Sequence, residues 1–277
     1  MIASPIRWAG GKRWLVERLV PEIVEANPRL YVEPFLGGGA VMLAVPTQIP
    51  KLAADANPTL MDMWFCLQKY PKALIDEVNK VANEYGNEQD GYLFARRRLN
   101  NMIGIDRPYS IQRAALFLYI NARCFNGLWR TNSSGLFNVP FGKLKNPSTI
   151  DLDEAKALST ALANVKLHVW DYKETLYRAA ISSTAKYRGL AIYADSPYHD
   201  TFSQYTKGDF TDDDQRELAK HLHYAWNQGA RVWATNADTA LIREIYSWAK
   251  LEEISEQHNV GATGDRRGKR SCLLIRG

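Results

Sequence analysis

Short apolar runs that stop abruptly on a glycine turn or an acid constrain this chain more than any other feature. Tyr31-Val32-Glu33 enters Gly37-Gly38-Gly39, Lys51-Leu52-Ala53-Ala54 ends on Asp55, and the buried-type run Leu190-Ala191-Ile192-Tyr193-Ala194 delivers Asp195-Ser196-Pro197-Tyr198. Val165 to Val169, Ala230 to Thr235 and Ser271 to Ile275 also read as strands. Helical stripes alternate with them. Leu15, Val16, Leu19, Val20, Ile23 and Val24 follow Lys12, and Leu218, Leu222 and Trp226 line a helix opening at Thr211. Asp212, Asp213 and Asp214 in its first turn suit both the N-cap and the helix dipole.

Residues 58–160 break this rhythm. They read as mainly helical, with Ile111 to Ile120 nearly all apolar and therefore a buried helix. Asn121 to Lys145, rich in Asn, Gly, Phe, Arg and Ser, reads as loop and hairpin. Alternating strands and helices on both sides of a helical stretch predict one α/β domain, 1–57 and 161–277, interrupted by a second at 58–160.

With 277 residues, 46% of them hydrophobic, the chain can bury a sizeable core. No stretch approaches the roughly 20 apolar residues of a membrane span. The start, Met1 to Arg7, lacks the apolar segment of a signal peptide, so a cytoplasmic protein is expected. Cys66, Cys124 and Cys272 lack paired metal spacing and read as reduced, buried thiols, with no metal expected. A net charge of +5 favours a polyanionic partner, although it also fits an ordinary basic protein.

Ligands of open α/β sheets sit at the carboxyl ends of strands. Phe35, Gly37 and Gly39 belong to a turn whose glycines let the backbone approach a ligand closely. Asp55 ends the next strand, where a carboxylate can accept from both ribose hydroxyls. A dinucleotide dehydrogenase shares these features, but the turn lacks the G-x-G-x-x-G spacing. Arg7-Trp8-Ala9-Gly10-Gly11-Lys12 adds a second glycine pair before a helix. There Lys12 and the helix N-terminus can hold a carboxylate, and Trp8 offers either an aromatic wall for a methyl donor or plain core packing.

The tetrapeptide Asp195-Ser196-Pro197-Tyr198 suits chemistry on an exocyclic amine. Adenine N6 is a poor nucleophile because its lone pair is delocalised into the ring. An acidic oxygen and a backbone carbonyl accepting its two hydrogens direct that lone pair at a methyl group. Pro197 stiffens the turn, and Tyr198 can stack on a base taken out of the duplex. In isolation the four residues would be a common Asx-Pro turn.

Together these motifs resemble the Dam-type family of DNA adenine-N6 methyltransferases. The match rests on Arg7 to Lys12, Glu33 to Gly39, Asp55-Ala56-Asn57-Pro58, Asn126 to Arg130, Phe137 to Gly142 and Asp195 to Tyr198. The resemblance implies a Rossmann-like methyltransferase sheet with a mainly helical target-recognition insertion carrying a β-hairpin. It implies S-adenosylmethionine as donor, bound by Trp8, Lys12, Asp55 and Asp195. Asp195 and Tyr198 would also engage a flipped adenine in double-stranded DNA. A monomer in a bacterial or phage-infected cell, with no obligatory protein partner, is expected. The family usually carries Asp-Pro-Pro-Tyr; Ser196 keeps the backbone carbonyl but loses φ restriction, so a looser, slower but active site is expected.

Arginine can contact guanine O6 and N7 together, and an apolar side chain can meet a thymine methyl. The resemblance assigns these roles to Arg130 and Leu128 in reading GATC, places Asn126 beside the flipped base, Arg7 at the first guanine, and Pro140 in the same DNA-binding set. Ala122-Arg123-Cys124-Phe125 departs from the family's usual stretch. Arg266 and Arg267 lie in a glycine-rich basic segment suited to phosphates, and Phe202, Tyr205 and Lys207 follow the tetrapeptide as a segment able to close over the base. His199 reads as an ordinary loop residue. The alternatives are a methyltransferase of cytosine N4 or RNA adenine, a catalytically weak DNA-binding member of the same fold, and a nicotinamide oxidoreductase.

Overall fold

Each short apolar run becomes a strand because its residues can be buried on two sides at once. The computed structural model describes residues 2–104, 109–182, 186–199, 210–256 and 270–277. In it, β1 (Leu30–Glu33), β2 (Lys51–Ala54), β3 (Val165–His168), β4 (Leu190–Ala194) and β5 (Arg231–Ala237) run parallel. Two further strands, β6 (Lys250–Glu256) and β7 (Arg270–Arg276), complete a seven-stranded sheet in the order β3-β2-β1-β4-β5-β7-β6, in which β7 alone runs antiparallel to its neighbours β5 and β6.

Alternation sorts neighbouring residues to opposite faces. Tyr31, Ala191 and Tyr193 join one core with the helices of residues 58–161, whereas Val32, Ile192 and Ala194 join the other. The α-helices of the described residues are, in chain order, α1 (Val16–Glu25), α2 (Ala40–Ala44), α3 (Pro58–Lys69), α4 (Pro71–Tyr85), α5 (Gln89–Asn100), α6 (Ile111–Arg123), α7 (Leu152–Ala161), α8 (Tyr172–Ile181), α9 (Asp212–Asn227) and α10 (Ala240–Ile245), and α8 and α9 close the second core. Chain order reverses between β1 and β4, which opens a crevice at their carboxyl ends.

The ends of the helices follow from local chemistry. Asn57 caps α3 (Pro58–Lys69), its Oδ1 accepting from Thr59 and Leu60 N–H, with Pro58 in the first position where no N–H is needed. Thr211 and Asp214 form a capping box on α9. The buried helix α6 (Ile111–Arg123) is capped by Ser110 and is buried continuously from Arg113 to Arg123. It therefore runs past Ile120, and Asn121 to Arg123 are helical rather than loop. The reason is tertiary: the polar side chains of Asn121 and Arg123 find hydrogen-bond partners in distant segments, at Arg7 and at Asn87, so they need not leave the helix.

Two expected stripe residues face outward, Val24 at 42% exposure and Trp226 at 37%; Trp226 lies against His223 and Trp248 instead of the core. The edge strand β6, Lys-Leu-Glu-Glu-Ile-Ser-Glu, is not anticipated from sequence because paired glutamates interrupt its alternation. Cys66, Cys124 and Cys272 are buried free thiols. Among the described residues no helix is long and apolar enough to cross a membrane.

Candidate active site

The crevice at the β1/β4 reversal widens into an open cleft of about 1600 Å³. Its floor is the glycine turn, clasped between two tryptophans. Gly37 and Gly39 adopt φ of +47° and +65°, the left-handed region that favours glycine. A Cβ on Gly37 would stand 2.7 Å from Trp8 Nε1, and one on Gly39 would stand 2.8 Å from Trp64 Cζ2. Trp64, fully buried, donates its indole N–H to the Gly37 carbonyl at 3.1 Å. Trp8 thus packs across the turn and also lines the cleft.

Asp55 is joined to this turn directly. Its Oδ2 accepts from Gly37 N–H at 3.0 Å and its Oδ1 from Asn57 N–H at 2.9 Å. Burial raises its carboxyl above the usual range, opposed by those two bonds. Beside it, Phe35, Tyr172 and Phe210 form an aromatic box: Phe35 stacks on Tyr172 at 5.7 Å between centroids and meets Phe210 edge-on at 5.8 Å. Asp171, which caps α8, lines the same end of the cleft. Sequence reasoning missed Asp171 and Tyr172, although their place after an expected strand is the signal that singled out Asp55.

Asp195 sits at the end of β4. The ammonium of Lys12, only 4% exposed, lies 3.0 Å from its Oδ2, and Thr235 donates to its Oδ1 at 2.6 Å. Lys12 also donates to the Gly10 carbonyl and stands 4.8 Å from the centre of the Tyr198 ring. The lysine therefore pairs with the carboxylate of the tetrapeptide. Thr235, on β5, is a third residue that sequence reasoning missed.

Glu33 ends β1 and lines the cleft while almost wholly buried. Burial pushes its carboxyl up to about 8; the Tyr31 hydroxyl, donating at 2.6 Å, opposes the rise, and Asp195 adds to it. Ser196 is turned inward at 4% exposure, with Asn236 Nδ2 donating to its hydroxyl at 3.4 Å. His199 bridges Thr239 Oγ1 at 2.8 Å and Asp212 Oδ1 at 3.2 Å.

The hairpin after α6 is held by two isolated bridges, Cys124 with Phe141 and Thr131 with Phe137. Its Trp129, Thr131 and Gly135 line the cleft, and so does Arg7. Asn126, Leu128, Arg130 and Pro140 lie outside the cleft lining, on the surrounding hairpin segment. Asn126 has φ of +54°, Arg130 is exposed and donates its Nε to Asn138 Oδ1 at 2.8 Å, and the Pro140 carbonyl accepts from Phe125 N–H at 2.9 Å. The Arg7 guanidinium donates to the carbonyl of Ala122. Arg266 and Arg267, like Phe202, Tyr205 and Lys207, fall outside the described residues.

A doubly wound sheet with one antiparallel strand inserted next to its edge, a glycine turn bonded to an acid, and a tetrapeptide at the end of β4 define a Rossmann-like methyltransferase. Residues 8–260 match the model of the D12 class N6 adenine-specific DNA methyltransferases, and the chain belongs to that family of enzymes. It is 33% identical over 275 residues to a DNA adenine methylase of Vibrio cholerae, covering 97% of this chain and 94% of that one. It is 32% identical over 278 residues to the retron Ec67 DNA adenine methylase of Escherichia coli, covering 100% and 92%. Against the DNA N-6-adenine-methyltransferase of Escherichia phage P1 it is 34% identical over 272 residues, 96% of this chain, but it spans only 34% of that longer protein. Among solved structures, the rRNA methyltransferase aviRa from Streptomyces viridochromogenes aligns with a TM-score of 0.34 at 14% identity, covering 94% of this chain and 84% of that one. That likeness is too loose to carry an argument.

Proposed function

We propose that this enzyme uses S-adenosylmethionine to methylate adenine N6 within GATC, after drawing the base out of the duplex. The observation that carries the reading is the placement of Asp195, on the cleft between the glycine turn and Tyr198 and held by Lys12 and Thr235.

The residues present fit that donor. The Phe35–Tyr172–Phe210 box suits a purine ring, Asp55 keeps lone pairs for ribose hydroxyls, and glycines at 37 and 39 admit a close approach. Lys12 can bind a carboxylate and Asp195 an ammonium at the amino-acid end, beside Trp8. When bound, the donor supplies a methyl group activated on a sulfonium.

Asp195 and the Ser196 carbonyl would accept the two N6 hydrogens of the target base. The Pro197 carbonyl already accepts from Gln215 at 2.8 Å, which favours the Ser196 carbonyl as the backbone acceptor. Tyr198 would stack on the extruded base, whose extraction costs a few kcal/mol. Such a site works by alignment and fixed electrostatics. Arg130, Leu128, Asn126, Arg7 and Pro140 would read the duplex, and Arg266 and Arg267 would hold phosphates. The same reading takes the protein to be a cytoplasmic monomer acting with no obligatory partner.

Sequencing of N6-methyladenine in a strain that lacks other adenine methylation, expressing this protein, tests the proposal. Modification concentrated at GATC supports it. Modification scattered over unrelated adenines would sink the specificity, and transfer to cytosine or none at all would sink the chemistry.

A further inference from the structure

Behind the tetrapeptide lies a buried pair of amides that neither the catalytic chemistry nor the DNA reading uses. Gln215, in the first turn of α9, is fully buried, and Asn236, on β5, is 1% exposed. Asn236 Nδ2 donates to Gln215 Oε1 at 2.9 Å and to Ser196 Oγ at 3.4 Å. Asn236 Oδ1 accepts from His199 N–H and Ala237 N–H, both at 2.8 Å. Gln215 Nε2 donates to the Pro197 carbonyl at 2.8 Å. The pair therefore grips the turn on both sides of Tyr198, at Pro197 and at His199, and touches the hydroxyl of Ser196 as well.

We infer that Gln215 and Asn236 are positioning residues that hold the catalytic turn in place of the restraint a proline at position 196 would provide. A serine φ is free where a proline φ is locked near −65°. The freedom costs nothing here if the turn is fixed by bonds from outside it. Those bonds are strong for their kind, because buried amides with every polar atom paired have no solvent to exchange with. Both amides are anchored in regular elements, α9 and β5, so the turn inherits their rigidity. The inference rests on the proposed role of the tetrapeptide, since it assigns the amides the task of placing the Ser196 carbonyl and Tyr198.

The test is a set of four proteins assayed for methyl transfer to duplex DNA: the parent, Gln215→Met, Asn236→Ala, and Gln215→Met combined with Ser196→Pro. Loss of alignment by a fraction of an ångström should lower kcat about tenfold or more in the two single variants. The KM for DNA should change far less, and binding of S-adenosylhomocysteine, followed by tryptophan fluorescence, should stay close to the parent because Lys12 and Asp55 are untouched. Adding Ser196→Pro to Gln215→Met should recover most of the lost kcat, which a general weakening of the fold would not permit. An unchanged kcat in a folded Gln215→Met protein, or an equal kcat loss with and without Ser196→Pro, would overturn the inference. Gln215→Met keeps the side-chain volume and decides the matter if Asn236→Ala does not fold. A parent protein that transfers nothing to DNA would instead remove the functional reading on which the inference stands.

Discussion

The side chain of Asn121 pairs with the backbone of Arg7 as a neighbouring strand would, accepting from Arg7 N–H at 3.0 Å and donating to the Arg7 carbonyl at 2.8 Å. The same amide donates to the Gly127 carbonyl at 3.3 Å. One buried residue at the end of α6 thus ties the segment carrying Trp8 and Lys12 to the start of the hairpin. The aromatic run Trp8–Phe117–Trp129–Phe137, with centroids 6.5, 5.3 and 4.9 Å apart, links the same two regions.

Replacing Asn121 with Ala should therefore damage two functions at once. The change strands the buried Gly127 carbonyl, and an unsatisfied buried group costs about 1–3 kcal/mol, so urea unfolding should show a loss of that order. Affinity for cognate DNA and for S-adenosylhomocysteine should both fall. Weakening of only one of the two would show that the hairpin and the N-terminal segment are independent.

Gly37→Ala should abolish tight donor binding while leaving the sheet intact. A Cβ there collides with the Trp8 indole, and the left-handed φ adds roughly 1–2 kcal/mol of backbone strain. Titration calorimetry with S-adenosylhomocysteine reads the effect, and an affinity equal to that of the parent would refute the clasp.

Glu33 makes stability depend on pH. Its carboxyl holds a proton to about pH 8 in the fold, chiefly through burial, against an ordinary value of 4.5. Between those values the folded state binds more protons than the unfolded chain, so stability falls as pH rises from about 5 to 8. Asp55, also raised by burial, acts in the same direction. Lys51, lowered by burial to about 8, counts only above that pH, where its early deprotonation returns stability. Glu33→Gln removes the first contribution. Thermal unfolding from pH 5 to 8 should show a shallower decline in that variant, and parallel curves would show that Glu33 does not titrate there.

Arg130 has its Nε committed to Asn138, so in the proposed reading of GATC its two terminal nitrogens would make the two-pronged contact with guanine. Arg130→Ala should cost about 1–3 kcal/mol of discrimination at one guanine. Asn138→Ala should cost a smaller part of that, because the guanidinium stays but its aim is lost. Comparing kcat/KM on duplexes altered at single positions measures both, and an unchanged preference in Asn138→Ala would dismiss the aiming role.

Much of the fold is legible along the chain because its signals are local. The apolar run Leu190 to Ala194 can only be satisfied as a buried strand, and Thr211 with Asp214 contains the whole chemistry of a helix start within one turn. Local reasoning fails where the deciding partner is distant. Asn121 and Arg123 read as loop residues until Arg7 and Asn87 are seen to satisfy them. Strand β6 exists because β7 pairs with it along its length, not because its own pattern asks for a strand. Asp171 follows a recognised strand, yet only the sheet brings it to the cleft beside Phe35.

Ser196 marks the division most clearly. Sequence alone determined that Asp195, Pro197 and Tyr198 stand at the end of a buried strand, because apolar periodicity and proline geometry act over a few residues. It also implied a slack turn, since φ at serine is locally unrestrained. The tertiary structure decided which distant groups touch that turn. Gln215 and Asn236, brought in from α9 and β5, hydrogen-bond the turn from outside, and a restraint supplied by distant residues leaves no local trace.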